Sequence, residues 1–292
     1  MHVLSGHSKG VLAVSWSPDG KFIASGSEDK FLIVWLAEEG RQYRMLGGPK
    51  ASINTVGWSP DSKHVGCGGD DMMIHIWENE TGFMFRRLKG HTEAVTSIVW
   101  SPDGVYLASS CMDRAVRIWN LSSGECEYIL RKHEGGILDV DWRSDGNVII
   151  SGSDDKSIVL WSTKTWGPIW TLRGHLDSVV SVAFSPAGNL IASSSRDRTI
   201  RIWVYGIWKT KKIIRCDTTV NCVRWSPDGK MLAGACEDGT VKIWSTENWE
   251  LKYELRGHEA AVRSVSWSPD SSMIASASMD TTVRVWSIGT QS

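Results

Sequence analysis

Seven tryptophans divide the chain into equal parts. Trp35, Trp77, Trp119, Trp161, Trp203, Trp244 and Trp286 stand 42 residues apart, with one step of 41. A period of this length, sustained over 292 residues, confines the chain to architectures that stack one supersecondary unit many times. Helical repeats reach similar periods, so the content of the unit decides. One unit reads VTSIVWSPDG, VYLASSCMDR, AVRIW: short β-branched and aromatic runs separated by turn residues. Ser-Pro-Asp-Gly recurs at 17–20, 101–104 and 226–229, with variants at 59–62, 143–146, 185–188 and 268–271. Proline second, Asp third and Gly last specify a β-turn between antiparallel strands, and six of the eight prolines sit there. A second turn is expected around Asp29, Asp71 and their equivalents. Each unit is therefore three strands with a looser fourth, and no window carries a sustained helical period.

A lone four-stranded sheet cannot cover both its faces. Strands such as FLIVW at 31–35 are apolar on both faces, as sheets covered on both sides require. Radial packing satisfies that need and keeps edges short. The expected fold is all-β, a seven-bladed β-propeller of four-stranded antiparallel blades, forming one domain over residues 1–292. The chain ends six residues after Trp286, leaving the seventh unit without its fourth strand. His2-Val3-Leu4-Ser5-Gly6-His7 aligns with Glu254-Leu255-Arg256-Gly257-His258, so the N-terminal strand is expected to complete the last blade. Main-chain pairing of the two ends removes the open edges.

The unit, with Gly-His, then Ser-x-x-x-Asp, then Ile-Trp, resembles the WD-repeat β-propeller family in seven copies over the whole chain. No unit carries the family's Asp after the tryptophan; Leu36, Glu78, Asn120, Ser162, Val204, Ser245 and Ser287 stand there. That position is exposed and variable in the family, so the fold is unaffected.

Charge and cysteine content exclude several classes. The net charge of −1 argues against a chain that grips nucleic acid through a bulk positive field. No apolar run approaches the roughly 20 residues of a membrane span, and MHVLSGHSKG has no basic flank before an apolar stretch. The six cysteines, Cys67, Cys111, Cys126, Cys216, Cys222 and Cys236, form no Cys-x-x-Cys pair and have no histidines at zinc spacing. They read as reduced and mostly buried, in a cytoplasmic or nuclear protein. The glycosylation patterns at Asn79 and Asn120 are chance matches in that setting.

Five units hold His, Ser, Asp and Trp at fixed intervals. The sets are His7/Ser25/Asp29/Trp35, His91/Ser109/Asp113/Trp119, His133/Ser151/Asp155/Trp161, His175/Ser193/Asp197/Trp203 and His258/Ser276/Asp280/Trp286. Ser, His and Asp together suggest a hydrolytic triad, but five copies argue for a role repeated with the fold. In the family that the chain resembles, these groups form a line from indole N–H through Ser and His to Asp. Such a line satisfies every buried polar atom. Units two and six lose His and Ser together: Pro49 and Cys67 in one, Cys216 and Gly234 in the other. Asp71 and Asp238 remain, because an Asp caps its own turn. His2, His64 and His75 are left over and read as ordinary surface or half-buried residues. No phosphate loop, nucleotide fingerprint or paired metal ligands occur, so no catalytic residue, cofactor or metal is assigned.

The expected function is a non-catalytic protein–protein interaction scaffold, a monomeric ring that binds peptides or protein domains on its faces, with no nucleic acid and no membrane. The alternatives are a catalytic propeller with an acidic channel-mouth site, and a designed or recently amplified repeat array without an evolved partner. By resemblance, the residues five after the His position lie on the innermost strands near the channel mouth of the tetrad, or top, face: Leu12, Asn54, Thr96, Leu138, Val180, Asn221 and Arg263. The residues before each tetrad Asp flank them: Glu28, Asp70, Met112, Asp154, Arg196, Glu237 and Met279. Four acids against one Arg make this mouth acidic with apolar patches, matching a basic segment or one with an apolar anchor. The aromatic pair that clamps arginine in histone-reading relatives is missing. A phosphopeptide site needs several converging arginines, and only Arg196 and Arg263 are present. Units two and six pair Asn with an acid, Asn54/Asp70 and Asn221/Glu237, which are expected to act as the site. On the opposite, bottom face, units one to three have Gly40, Gly82 and Gly124 where four to six have Trp166, Trp208 and Trp249. Each indole either folds over its own blade or contributes to an exposed aromatic stripe bordered by Lys164, Lys209, Lys211 and Lys212.

Overall fold

The strand-forming runs close into seven sheets. The computed structural model describes residues 2–289. Blade one has strands Val11–Trp16, Phe22–Ser27, Leu32–Leu36 and Arg41–Leu46, hydrogen-bonded in that order from the channel outward. The next five blades repeat the pattern over 53–89, 95–131, 137–173, 179–215 and 220–255. The seventh takes Val262–Trp267, Met273–Ser278 and Thr282–Ser287 from the C-terminal end and His2–Ser5 from the N-terminal end. His2 pairs with Val285 and Ser5 with Thr282, antiparallel. Leu4 from this strand is buried in the seam between blades seven and one. The ring is thus closed by the two chain ends.

The core lies between blades, not within them. Seven apolar clusters occupy the seven seams. In the seam of blades two and three, Ile74, Ile76 and Leu88 meet Val95, Ile98, Trp100, Leu107 and Trp119. Each middle strand is buried on both faces, as Leu32–Leu36 illustrates, which is why its sequence is continuously apolar.

Turn chemistry follows the sequence closely. In Ser17-Pro18-Asp19-Gly20 the Ser17 hydroxyl donates to Asp19 (2.6 Å) and accepts from Phe22 N (2.9 Å), while Gly20 takes φ +73°. In the Ser-Pro-Asp-Ser variants a serine holds that left-handed position, Ser62 at +60° and Ser271 at +63°. Each serine hydroxyl accepts from a main-chain N–H of the preceding blade, Asp19 N and Asp228 N at 3.1 Å. That inter-blade bond offsets the strain of a side chain at positive φ.

Candidate functional site

The five complete tetrads share one geometry. In blade one, Trp35 Nε1 donates to Ser25 Oγ (2.8 Å), which lies 2.8 Å from His7 Nε2, and His7 Nδ1 lies 2.8 Å from Asp29. The same line runs through Trp119–Ser109–His91–Asp113, Trp161–Ser151–His133–Asp155, Trp203–Ser193–His175–Asp197 and Trp286–Ser276–His258–Asp280. The proton order is indole to Ser, Ser to Nε2, and Nδ1–H to Asp, which requires neutral imidazole. Burial holds His7, His91, His175 and His258 below the ordinary imidazole value, against the opposing pull of their aspartates. Burial works to raise Asp29, but donors Ser8 N, Phe31 N and His7 outweigh it and lower its pKa. Each tetrad Ser Oγ is buried and fully engaged in its line, so none of these five serines faces solvent as a nucleophile.

Blades two and six repair the missing histidine from an unexpected place. His75 is buried, not half-exposed as the sequence suggested. Its Nε2 lies 2.9 Å from Asp71, and its ring stacks on Trp77. In blade six the equivalent third-strand position is Lys242, 3.8 Å from Asp238. A cross-strand neighbour of the lost Ser thus supplies the partner, a relation visible only in the strand register (Cys67 opposite His75). His2 is exposed, and the His64 ring lies tilted against Phe85, centroids 4.4 Å apart.

His91, Cys111 and Asp113 bring their ligand atoms within 4.8 Å of one another. Cys111 stands where Ser27 and Ser153 stand in other blades and makes the same bonds, to Glu93 O and from Asp113 N. Burial pushes its thiol up to about 12, and the Arg117 guanidinium lies 3.7 Å from Asp113. The thiol thus makes the structural bonds that serine makes in other blades.

Leu12, Asn54, Thr96, Leu138, Val180, Asn221 and Arg263 line a cavity of about 290 Å³ in the central channel. Two of the flanking residues lean inward over the next blade: Met279 covers Gly10 beside Glu28, and Met112 covers Gly136 beside Asp154. Asp70, Arg196 and Glu237 are exposed. The Asn–acid pairs are bonded internally: Asn54 to Asp70 at 2.7 Å and to Val95 O of the next blade, Asn221 to Glu237 at 2.8 Å and to Val262 O. Arg263 reaches Glu237 at 2.9 Å. Glu237 is therefore neutralised locally, and the mouth's acidity rests on Glu28, Asp70 and Asp154.

Below this ring lies a polar buckle that periodic reading missed. Asp139 accepts from Ser97 Oγ (2.8 Å), Ser181 Oγ (2.8 Å), Val140 N (3.0 Å), Val182 N (3.0 Å) and Arg224 Nη1 (3.2 Å). These bonds tie blades three, four, five and six. Asp141 accepts from Phe184 N at 2.7 Å, and burial raises its carboxyl to about 6. The signal was an acid at offsets six and eight from a tetrad His, in one repeat only.

On the bottom face the tryptophans are half-buried against a neighbouring blade. Trp166, Trp208 and Trp249 occupy left-handed φ of +53°, +61° and +65°, the conformation of Gly40, Gly82 and Gly124. Trp166 stacks on Tyr128 (4.4 Å) and meets Tyr106 and Trp142. Trp208 stacks on Trp170, and Trp249 lies against Trp225 and under Lys211. Tyr128, Trp170 and Lys211 belong to the preceding blades' outer strands. The three rings are half-buried and cover a neighbour's seam as well as their own blade. Contact with that apolar seam offsets the positive-φ strain.

Among the described residues no helix is long and apolar enough to cross a membrane. Residues 112–292 match the family model described as IFT122 first beta-propeller. Residues 1–35, 40–78 and 82–120 match the model described as WD domain, G-beta repeat. Among curated proteins, the chain is 54% identical over 39 residues to Protein Mut11 of Chlamydomonas reinhardtii, covering 13% of the chain and 10% of that protein. It is 43% identical over 47 residues to Protein HIR1 of Kluyveromyces lactis (16% and 6%) and 54% identical over 37 residues to Protein HIRA of Caenorhabditis elegans (13% and 4%). The matched segments span a tenth or less of these relatives' lengths.

Proposed function

The chain belongs to the WD-repeat β-propeller family, and from that premise we propose that it is a non-catalytic protein–protein interaction scaffold, cytoplasmic or nuclear, whose tetrad face receives a peptide or protein domain. The observation that carries this reading is the channel mouth. Seven partly exposed side chains from seven innermost strands converge on one cavity, bordered by Glu28, Asp70 and Asp154 and by the two methionines. That composition suits a basic segment with an apolar anchor: methionine adapts to the anchor's shape, and the carboxylates steer the basic charge. With Arg263 engaged by Glu237, Arg196 alone does not make a phosphate clamp.

The test is quantitative affinity capture from an extract of the source organism, comparing the natural chain with Glu28→Lys/Asp154→Lys. Among the described residues neither carboxylate forms an ion pair, so the variant keeps its melting temperature. At least a tenfold loss of one or more captured proteins is expected. An unchanged captured set from a folded variant would reject the mouth as the site.

A further inference from the structure

The seams of the bottom face differ in one respect that carries chemistry. Where blade four meets blade three, Trp166 closes the groove beside Ser101-Pro102-Asp103, Tyr106, Trp142, Gly146 and Thr163, leaving about 250 Å³. Shifted by one 42-residue repeat, the same positions hold Ser59-Pro60-Asp61, His64, Trp100, Gly104 and Leu121, and the tryptophan is replaced by Gly124. A cavity of about 360 Å³ stands in this seam of blades two and three. Ile76, Phe85, Val105 and Leu121 make its wall apolar. Phe85 and Val105 are exposed there, and Phe83, at the start of the Phe85 strand, is 75% exposed.

The first glycine seam is filled at this point by His2, whereas Arg44 at the second takes the place that Arg86 takes at Gly124, each over its neighbouring ring and bonded to a turn carbonyl of the next blade. A side chain at Gly40 would meet His2 at 2.9 Å, and one at Gly82 would meet Arg44 at 3.3 Å, itself bonded to Asn79 O. At Gly124 an added Cβ would find only ordinary contacts, 3.5 Å to Arg86. Arg86 is held along the edge, over Phe85 and bonded to Ser122 O at 3.0 Å.

Charge further defines the occupant. Asp61 and Asp103 line the cavity. Asp103 Oδ1 accepts from Ser101 Oγ and Val105 N, and among the described residues its Oδ2 has no partner. Asp61 is paired with Lys63 at 3.9 Å, so a basic group next to the inserted ring would complement Asp103.

We propose that the seam between blades two and three is a docking pocket for a tryptophan flanked by Lys or Arg in an extended segment of a partner protein, which supplies in trans the ring that Trp166 supplies within the chain. This pocket lies on the opposite face from the channel mouth and does not depend on the reading given for that mouth. An aromatic ring with one polar edge suits a largely apolar cleft that also carries a carboxylate, and tryptophan is enriched among interface anchors.

The experiment uses the tripeptide acetyl-Lys-(5-fluoro-Trp)-Lys-amide as probe, followed by ¹⁹F NMR against the full chain. A saturable shift is expected, and acetyl-Lys-Trp-Lys-amide should displace the probe while acetyl-Lys-Ala-Lys-amide should not. Gly124→Trp fills the pocket from within and should weaken the probe at least tenfold. Val105→Arg blocks the exposed wall and should do the same, which keeps the test decisive if the first variant folds poorly. The proposal is overturned by the absence of a saturable shift, by equal displacement with the alanine peptide, or by a shift that survives Val105→Arg. It is also overturned if sedimentation finds a dimer that Val105→Arg dissociates, since the occupant is then a second copy of the chain.

Discussion

Removing the Asp139 carboxylate is the most informative single perturbation of the ring. It accepts five hydrogen bonds and its side chain is 6% accessible. In Asp139→Ala the buried Ser97 and Ser181 hydroxyls lose an acceptor, and the main-chain N–H of the fully buried Val182 is orphaned; an orphaned buried donor costs about 1–3 kcal/mol. Arg224 loses its counter-charge, but its side chain keeps 37% accessibility in the channel. Its hydration recovers part of the loss, so the roughly 3–5 kcal/mol of a fully buried broken pair is an upper bound. The net expectation is about 3 kcal/mol. At roughly 2–4 °C per kcal/mol for a chain of this size, melting should fall by roughly 6–12 °C, followed by tryptophan fluorescence and by urea titration. Asp139→Asn preserves volume but turns an amide toward five donors, and should lose a comparable amount. Glu247→Ala, at an exposed turn, is the control and should stay within about 0.5 kcal/mol. If Asp139→Ala also stays within that margin, the buckle does not hold the four blades together.

Three further outcomes follow from the same bonds. The imidazoles of His7, His91, His175 and His258 titrate below their ordinary value of 6.5, so below about pH 6.5 the unfolded chain binds more protons and stability should fall as pH drops. A further loss should begin below the ordinary aspartate value of 3.8, as Asp197 and Asp280, held at about 2, are titrated; urea midpoints from pH 8 to 3 check both. Trp166→Ala should destabilise by about 1–3 kcal/mol from lost packing, and Trp166→Gly by about 1 kcal/mol less, because glycine is unstrained at φ +53°; equal losses would refute the strain argument. Deleting residues 2–5 removes Leu4 from its seam and exposes the Thr282–Ser287 edge, which should cost at least about 3 kcal/mol or drive oligomerisation, read by sedimentation and thermal melting.

Whatever repeats was legible in the sequence. The 42-residue period implied blades, the Ser-Pro-Asp-Gly turns implied their hairpins, and the alignment of residues 2–7 with 254–258 implied the closing strand. What occurs once was not. Asp139, Asp141 and Arg224 sit at offsets where other units carry small residues, and their meeting depends on how four blades face one channel. His75 was set aside although its partner Asp71 lies only four residues before it, because the tetrad pattern places the histidine 22 residues ahead of the Asp. The tryptophans at 166, 208 and 249 were placed in the right turn, but they cover the preceding blade as well as their own, and the first relation exists only once neighbouring blades pack. The Arg263–Glu237 pair crosses a seam in the same way, and changes the mouth's charge for that reason.

The tetrads serve the fold, and the tetrad face is the proposed docking surface. Lysines mark the two faces separately: Lys9, Lys30, Lys50, Lys132 and Lys156 lie in the loops and turns of the tetrad face, whereas Lys21, Lys63, Lys164 and Lys230 lie in those opposite. Crosslinking mass spectrometry in a native extract reads this directly. Crosslinks from at least two tetrad-face lysines to the same partner protein are predicted. Crosslinks confined to Lys63 and its face, with none from the tetrad face, would contradict the claim.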